Sequence, residues 1–168
     1  MAISQGAQAN KNGKVFEQMM IPIFKNSGFE IFKETDLTKK SVKAKLAAGL
    51  KKYVITNASY ITIYASGGRT EFVIVDDPRR IRVEAKYQTA AGSVDEKFPY
   101  MLLNGIYQYP ESEIIFVVDG GGYKQGARDW LKNKIAENWL DYKSNGKDIK
   151  LMTITEFANW FNHEFSKD

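Results

Sequence analysis

Residues Thr70–Gln88 read TEFVIVDDPRRIRVEAKYQ, and the fold turns on how this stretch is interpreted. Two β-branched runs, Thr70–Val75 and Arg80–Tyr87, flank Asp76-Asp77-Pro78-Arg79, a cluster of turn-forming residues, so the stretch predicts a β-hairpin. Alternate side chains share a strand face, which places Glu84 and Lys86 side by side at the end of the second strand. If Asp76 pairs with Arg79, Glu71 lies opposite Glu84. If Asp77 pairs with Arg80, Glu71 lies opposite Lys86. Both registers bring Glu71 within cross-strand reach of the other two, whereas Asp76 falls on the opposite face.

Two carboxylates suit a hard divalent cation, since Mg²⁺ takes oxygen ligands and commonly uses one or two carboxylates beside phosphate and water. A lysine next to them can position an attacking water or help to deprotonate it, while the metal stabilises charge developing on phosphorus. A Glu–Lys pair on a strand face is also what an ordinary solvated surface carries, so the surrounding chain has to decide between the two.

The residues Glu71, Glu84-Ala85-Lys86 and Gln88 resemble the signature of the PD-(D/E)xK nuclease superfamily, to which many restriction endonucleases belong. The continuation GSVDEKFPY, Gly92–Tyr100, is similar to the segment after the E-x-K strand in several restriction-type and phage-type members. One departure is that Thr70-Glu71 stands where the family usually has Pro-Asp; glutamate reaches one methylene further. The resemblance implies that Glu71, Glu84 and the Ala85 carbonyl hold Mg²⁺, with Mn²⁺ able to substitute. It further implies that Lys86 orients or activates the water and that Gln88 contacts metal-bound water or phosphate. Glu17 matches the place of the helix-borne acid that often completes the acidic shell, and reads equally as a boundary carboxylate.

Composition bounds the alternatives. The chain has 168 residues, 43% of them apolar, with three Trp, nine Tyr and ten Phe, which suits one domain with a sizeable core and rules out a disordered chain. There is no cysteine and one histidine, His163, which reads as a surface residue. Thiolate or histidine metal sites and Cys–His or Ser–His–Asp nucleophilic arrangements are thereby excluded. The N-terminal dozen residues read as frayed, with no apolar targeting segment, so a cytoplasmic location and no membrane partner are expected. A net charge of +4 permits a polyanionic partner without demanding one.

Along the chain, a helix is expected from about Asn12 to Lys25, bent or broken at Pro22, with Phe16, Met20 and Phe24 in its apolar stripe. Phe29–Lys33 reads as a short strand. Lys39–Lys52 holds six lysines and no acid, which favours phosphate contact at Lys39, Lys40 and Lys43. Tyr53–Tyr64 reads as a strand or as a loose hairpin turning at Asn57-Ala58-Ser59, and Ser66-Gly67-Gly68 as a flexible break. Lys14 and Arg69 are candidate phosphate contacts at either end of this region.

Beyond Gln88, Ser93 with Glu96 reads as a capping box opening a helix over Val94–Tyr107, with Pro99 tolerated by a bend or a late start. Ser93 and Lys97 are further candidate DNA contacts. Glu113–Asp119 is a continuous apolar run and reads as a buried strand. Gly120-Gly121-Gly122 then opens a helix over Tyr123–Tyr142 that presents Lys124. The glycine run lacks nucleotide-loop spacing and reads better as close packing than as a phosphate cradle. A last strand at Ile149–Ile154 leads into a helix capped by Thr153 and Glu156.

The element order predicts an α/β fold, a three-layer α/β/α sandwich around a mixed sheet, as in the restriction-endonuclease-like core. The function expected on these grounds is a Mg²⁺-dependent DNA endonuclease, restriction-type and homodimeric. Alternatives are a structure-directed repair, recombination or phage nuclease, and a non-catalytic DNA-binding domain of the same fold.

Overall fold

The computed structural model describes residues 5–90 and 95–166, with side chains of the first helix from Lys14 onward. Six strands form one mixed sheet in sequential order: β1 (Glu30–Lys33), β2 (Lys52–Ile61), β3 (Gly67–Asp76), β4 (Arg79–Tyr87), β5 (Glu113–Asp119) and β6 (Asp148–Met152). The β2–β3–β4 meander is antiparallel, while β1 runs parallel to β2, and β5 and β6 continue parallel to β4. The helices are α1 (Gln5–Asn26), α2 (Lys40–Ala47), α3 (Phe98–Tyr107), α4 (Gln125–Ala136) and α5 (Ile154–Glu164). Among the described residues no helix is long and apolar enough to cross a membrane.

Sheet alternation sorts the core into two layers. Phe72, Ile74, Val83, Ala85 and Val117 face α1 and α5, where Phe16, Met20, Phe24, Phe157 and Phe161 are buried against them. Phe24 is fully buried and meets Phe72, Phe157 and Phe161 edge-on at 5.1–6.0 Å. Burying such a ring stabilises the fold by about 2–3 kcal/mol. Ile114, Phe116 and Val118 point the other way, against Phe98, Met101 and Leu102 of α3 and Leu131 of α4. The strand β5 is buried on both faces, as its unbroken apolar run requires. The result is the expected α/β/α sandwich.

The register is the first of the two that the hairpin allowed: Asp76 pairs with Arg79 and Phe72 with Val83. Arg79 secures the turn, donating from Nε and Nη2 to the two carboxylate oxygens of Glu113 at 2.6 Å and from Nη1 to Glu164.

Several expectations are corrected. The helix α1 begins at Gln5 rather than Asn12 and continues through Pro22, whose place in the helix is held by the buried Met20 and Phe24 on either side. The strand β2 does not turn at Asn57-Ala58-Ser59, because β3 pairs along its whole length, with Thr56 opposite Phe72 and Ala58 opposite Thr70. Gly67 and Gly68 belong to β3 instead of forming a break; the Tyr60 ring lies where a Cβ on Gly68 would be, 2.6 Å away. The helix after Asp119 starts at Gln125 and stops at Ala136, since Asn138 turns left-handed. The helix before β5 starts late, with Pro99 in its first turn. The expected cap at Ser93 lies outside the described residues.

Candidate active site

The β3–β4 ladder ends at Phe72–Val83, one residue before Glu71 and Glu84 would pair. Beyond that point β3 stays with β2 and β4 stays with β5, so a gap opens between them. The neighbouring strand β2 is irregular at the same level. Asn57, at the level of Glu71, has φ +59°, and this shifts the side-chain alternation, so that Ile55 and Ala58 both join the cluster of Val73 and Val75. The β2–β3 register is the same on both sides of Asn57, so no residue is inserted there.

Glu71 fills the gap rather than lying flat on a sheet face. Its Oε2 accepts the Ala85 N–H at 2.8 Å, taking over a backbone donor that lost its ladder partner, and its Oε1 accepts from Lys86 Nζ at 3.3 Å. Lys86 Nζ also lies 2.5 Å from Glu84 Oε1 and donates to the Ala85 carbonyl at 3.2 Å. The ammonium therefore bridges the two carboxylates. Glu84 is 6% exposed, and its second oxygen, Oε2, is buried with no hydrogen-bond partner among the described residues.

The electrostatics follow from that packing. Burial, with the Glu71 charge in support, pushes the Glu84 carboxyl up to about 8, against the pull of Lys86. Burial opposes the Lys86 charge, but the two carboxylates outweigh it and hold the ammonium above its ordinary range. Once Glu84 is ionised, two carboxylates face one ammonium and the site is short of positive charge, and oxygen donors of this kind are what a hard cation takes.

The edge of β4 is braced by the loop that follows β5. The Tyr123 hydroxyl donates to the Lys86 carbonyl at 2.6 Å. The Gly122 N–H donates to the Gln88 carbonyl at 2.8 Å, and Gln88 Nε2 donates back to the Gly122 carbonyl at 2.9 Å. Gln88 is thus turned into the loop, with its amide engaged by backbone. A Cβ on Gly120 would sit 2.2 Å from the Gln88 carbonyl oxygen, so the glycine run serves close packing, as expected. Nothing in the sequence pattern singles out Tyr123; its role depends on the loop folding back over β4.

Beneath Glu84, Arg82 is almost fully buried and forms a two-pronged pair with Glu111, Nε to Oε2 at 2.5 Å and Nη2 to Oε1 at 3.2 Å. Its Nη1 donates to the Thr70 hydroxyl at 2.9 Å, tying β4 to β3 just below the gap. The Tyr60 and Tyr109 rings flank the guanidinium at 5.8 and 5.2 Å. Sequence reasoning missed this group; an arginine alternating with apolar residues inside a strand, Ile81-Arg82-Val83, was the available signal.

The remaining candidates are dispersed. Glu17 sits on α1 next to Phe16, which stacks on Tyr87, so its helix covers the sheet face away from Glu84 and Lys86. Among the described residues no three His, Cys, Asp or Glu side chains come together, and Glu17 does not join the Glu71–Glu84 pair. Lys14 is exposed on the same helix. Lys39 pairs with Asp36 at 2.8 Å, whereas Lys40 and Lys43 are exposed on α2, which packs beside the edge strand β1 through Lys45 and Glu30. Arg69 donates to the Asn57 carbonyl at 2.8 Å and lies 3.5 Å from Glu34. Lys97 and Lys124 are exposed at the starts of α3 and α4. Ser93 lies outside the described residues.

Comparison with curated proteins and with solved structures finds no match. The sequence profile of the PD-(D/E)XK nuclease superfamily domain matches residues 8–165, which takes in the whole sheet and the Glu71, Glu84 and Lys86 cluster. By that match, and with the α/β/α core that accompanies it, the chain belongs to the PD-(D/E)XK nuclease superfamily.

Proposed function

We propose that this chain is a metal-dependent endodeoxyribonuclease that hydrolyses phosphodiester bonds, with Mg²⁺ as its cation and Mn²⁺ able to replace it. The observation that supports this most is the buried, unpartnered Glu84 Oε2 beside Glu71 at the end of the E-x-K strand. Glu71, Glu84 and the Ala85 carbonyl would hold the cation. When bound, it supplies positive charge against the developing phosphorane and the leaving oxygen.

The chain's own residues set up the rest. Glu71 is fixed by the Ala85 N–H, so one oxygen is oriented before any ligand arrives. The carboxyl of Glu84 must give up its proton at Oε1 or Oε2 before it serves as a donor, which links the site to pH. Lys86, held protonated by its two neighbours, acts as a hydrogen-bond donor that orients the attacking water and offsets charge, rather than as a base. Tyr123 and the Gln88–Gly122 bonds keep the end of β4 in place while substrate binds. Glu17 is not required for this arrangement.

Within this activity, the reading extends to a restriction-type enzyme acting as a homodimer, since a compact chain that cuts both strands does so most simply in a symmetric pair. The test is incubation of supercoiled plasmid with Mg²⁺, with EDTA as control, for wild type and Lys86→Ala. Cutting that needs the cation and is lost in Lys86→Ala supports the proposal. Binding without cutting under any divalent cation would instead indicate a DNA-binding domain. Discrete fragments point to sequence reading, and preference for branched DNA points to a structure-directed nuclease.

A further inference from the structure

The hairpin that joins β2 to β3 ends near the gap that holds Glu71. Its turn, residues 62–66, is tied internally by Thr62 N–H to the Ser66 carbonyl at 2.8 Å, Ala65 N–H to the Thr62 carbonyl at 2.9 Å, and a Thr62–Ser66 hydroxyl pair at 2.9 Å. It is tied to α3 through the fully buried Asn104, whose Oδ1 accepts the Ile63 N–H at 3.0 Å and whose amide donates to the Tyr100 carbonyl at 2.7 Å. From this well-braced turn Tyr64 projects into solvent, 74% exposed, and stacks on Tyr100 with centroids 5.3 Å apart and planes 22° from parallel. Ile61, at the same end of the hairpin, is 59% exposed.

A large ring held out in water by a hydrogen-bonded turn is a preformed contact surface. Its position indicates the occupant. From Gly67, where the turn ends, to Glu71 is four strand residues, about 13 Å. That is the length of about four nucleotides of stacked strand. Lys97 lies one helical turn before Tyr100 and is exposed, with no ion pair among the described residues. An aromatic face with a neighbouring ammonium matches a base and its phosphate, the pairing by which proteins hold single strands.

We propose that the Tyr64–Tyr100 stack is a nucleobase platform that receives an unstacked base from a single-stranded or frayed stretch of substrate, with Lys97 on the adjoining phosphate. This rests on the nucleic-acid reading of the Glu71–Glu84–Lys86 site and narrows it, making single-strand character near the cut part of the substrate.

The test is binding in EDTA of a single-stranded oligonucleotide carrying 2-aminopurine and of a blunt duplex of the same sequence. The proteins are wild type, Tyr64→Ala, Tyr64→Leu and Tyr64→Trp. Loss of one stacking ring weakens single-strand binding roughly 5- to 150-fold in the Ala and Leu variants. The 2-aminopurine quenching disappears with it, the Trp variant keeps both, and duplex binding changes less than about twofold. Single-strand affinity and quenching unchanged in Tyr64→Ala would overturn the platform, and so would an altered sedimentation coefficient in that variant, which would assign Tyr64 to a protein interface. Quenching by a wild type that never cuts would sink the nuclease reading and leave the platform standing. Cation-dependent cutting without quenching would do the reverse.

Discussion

Replacing Lys86 with methionine separates the two roles of that side chain, because its ammonium occupies the position between the carboxylates that a cation would satisfy. Nζ lies 2.5 Å from Glu84 and 3.3 Å from Glu71, with side-chain exposures of 23%, 8% and 28% for Lys86, Glu84 and Glu71. Breaking a fully buried ion pair costs about 3–5 kcal/mol and an exposed one about 0–1, so this half-buried bridge falls between, near 2 kcal/mol. For a chain of this size that is roughly 4–8 °C in melting temperature. In EDTA, Lys86→Met is therefore expected to melt that much below wild type.

Adding Mg²⁺ or Ca²⁺ should then narrow the difference. Two carboxylates freed from their ammonium bind a cation more tightly, and a ligand at a hundred times its Kd returns about 2.7 kcal/mol. The assay is thermal denaturation followed by circular dichroism, with and without cation, at about pH 9, above the value of about 8 to which Glu84 is pushed in wild type. Cleavage should be absent in the variant throughout. If the cation raises the melting temperature of wild type as much as, or more than, that of Lys86→Met, lysine and cation do not share a position and the reasoning fails.

Other outcomes follow from the same geometry. The folded pKa of Glu84 lies above its ordinary value of 4.5, so the folded state holds that proton more tightly, and the stability of the metal-free protein falls as pH rises from 4.5 through about 8. Metal affinity moves oppositely, rising about tenfold per pH unit below 8, with close to one proton released in calorimetry and none in Glu84→Gln. Arg82→Met leaves the buried Glu111 with only the looser Arg80 contact at 3.9 Å and should lower urea-unfolding stability by about 3 kcal/mol, most of it recovered in Arg82→Met/Glu111→Leu. Gly120 combines φ +99° with a Cβ position 2.2 Å from the Gln88 carbonyl, whereas nothing lies within 4 Å of a Cβ on Gly121. Gly120→Ala should therefore cost about 2 kcal/mol or more and impair cutting, while Gly121→Ala is tolerated in both melting and plasmid assays. Removing Lys40 and Lys43 together should reduce the salt dependence of DNA binding by about two phosphate contacts; an unchanged slope would place α2 away from the DNA.

Much of the architecture was legible before the fold was known because it rests on local chemistry. The turn at Asp76–Arg79 joins two β-branched runs, the Thr153–Glu156 capping box forms as read, and β5 coincides with its apolar run. These are short-range preferences, satisfied within a few residues whatever surrounds them. The proximity of Glu71, Glu84 and Lys86 was also legible, since either hairpin register brings them together.

Local patterns along the chain were enough for the order of the layers and for the residues that meet at the end of the E-x-K strand. How they meet depends on contacts between distant segments. The β3–β4 ladder stops after Phe72–Val83 although both strands continue, so the aim of Glu71 at the Ala85 N–H has no counterpart in spacing along the chain. The glycines at 67 and 68 looked like a break because the ring that covers Gly68 comes from Tyr60 on the neighbouring strand. Arg82 showed only as an arginine between apolar strand residues; its burial comes from Glu111, Tyr60 and Tyr109 closing around it. Burial, and with it the raised proton affinity of Glu84, is a property of what packs on a residue from afar, and periodicity within a segment carries no record of it.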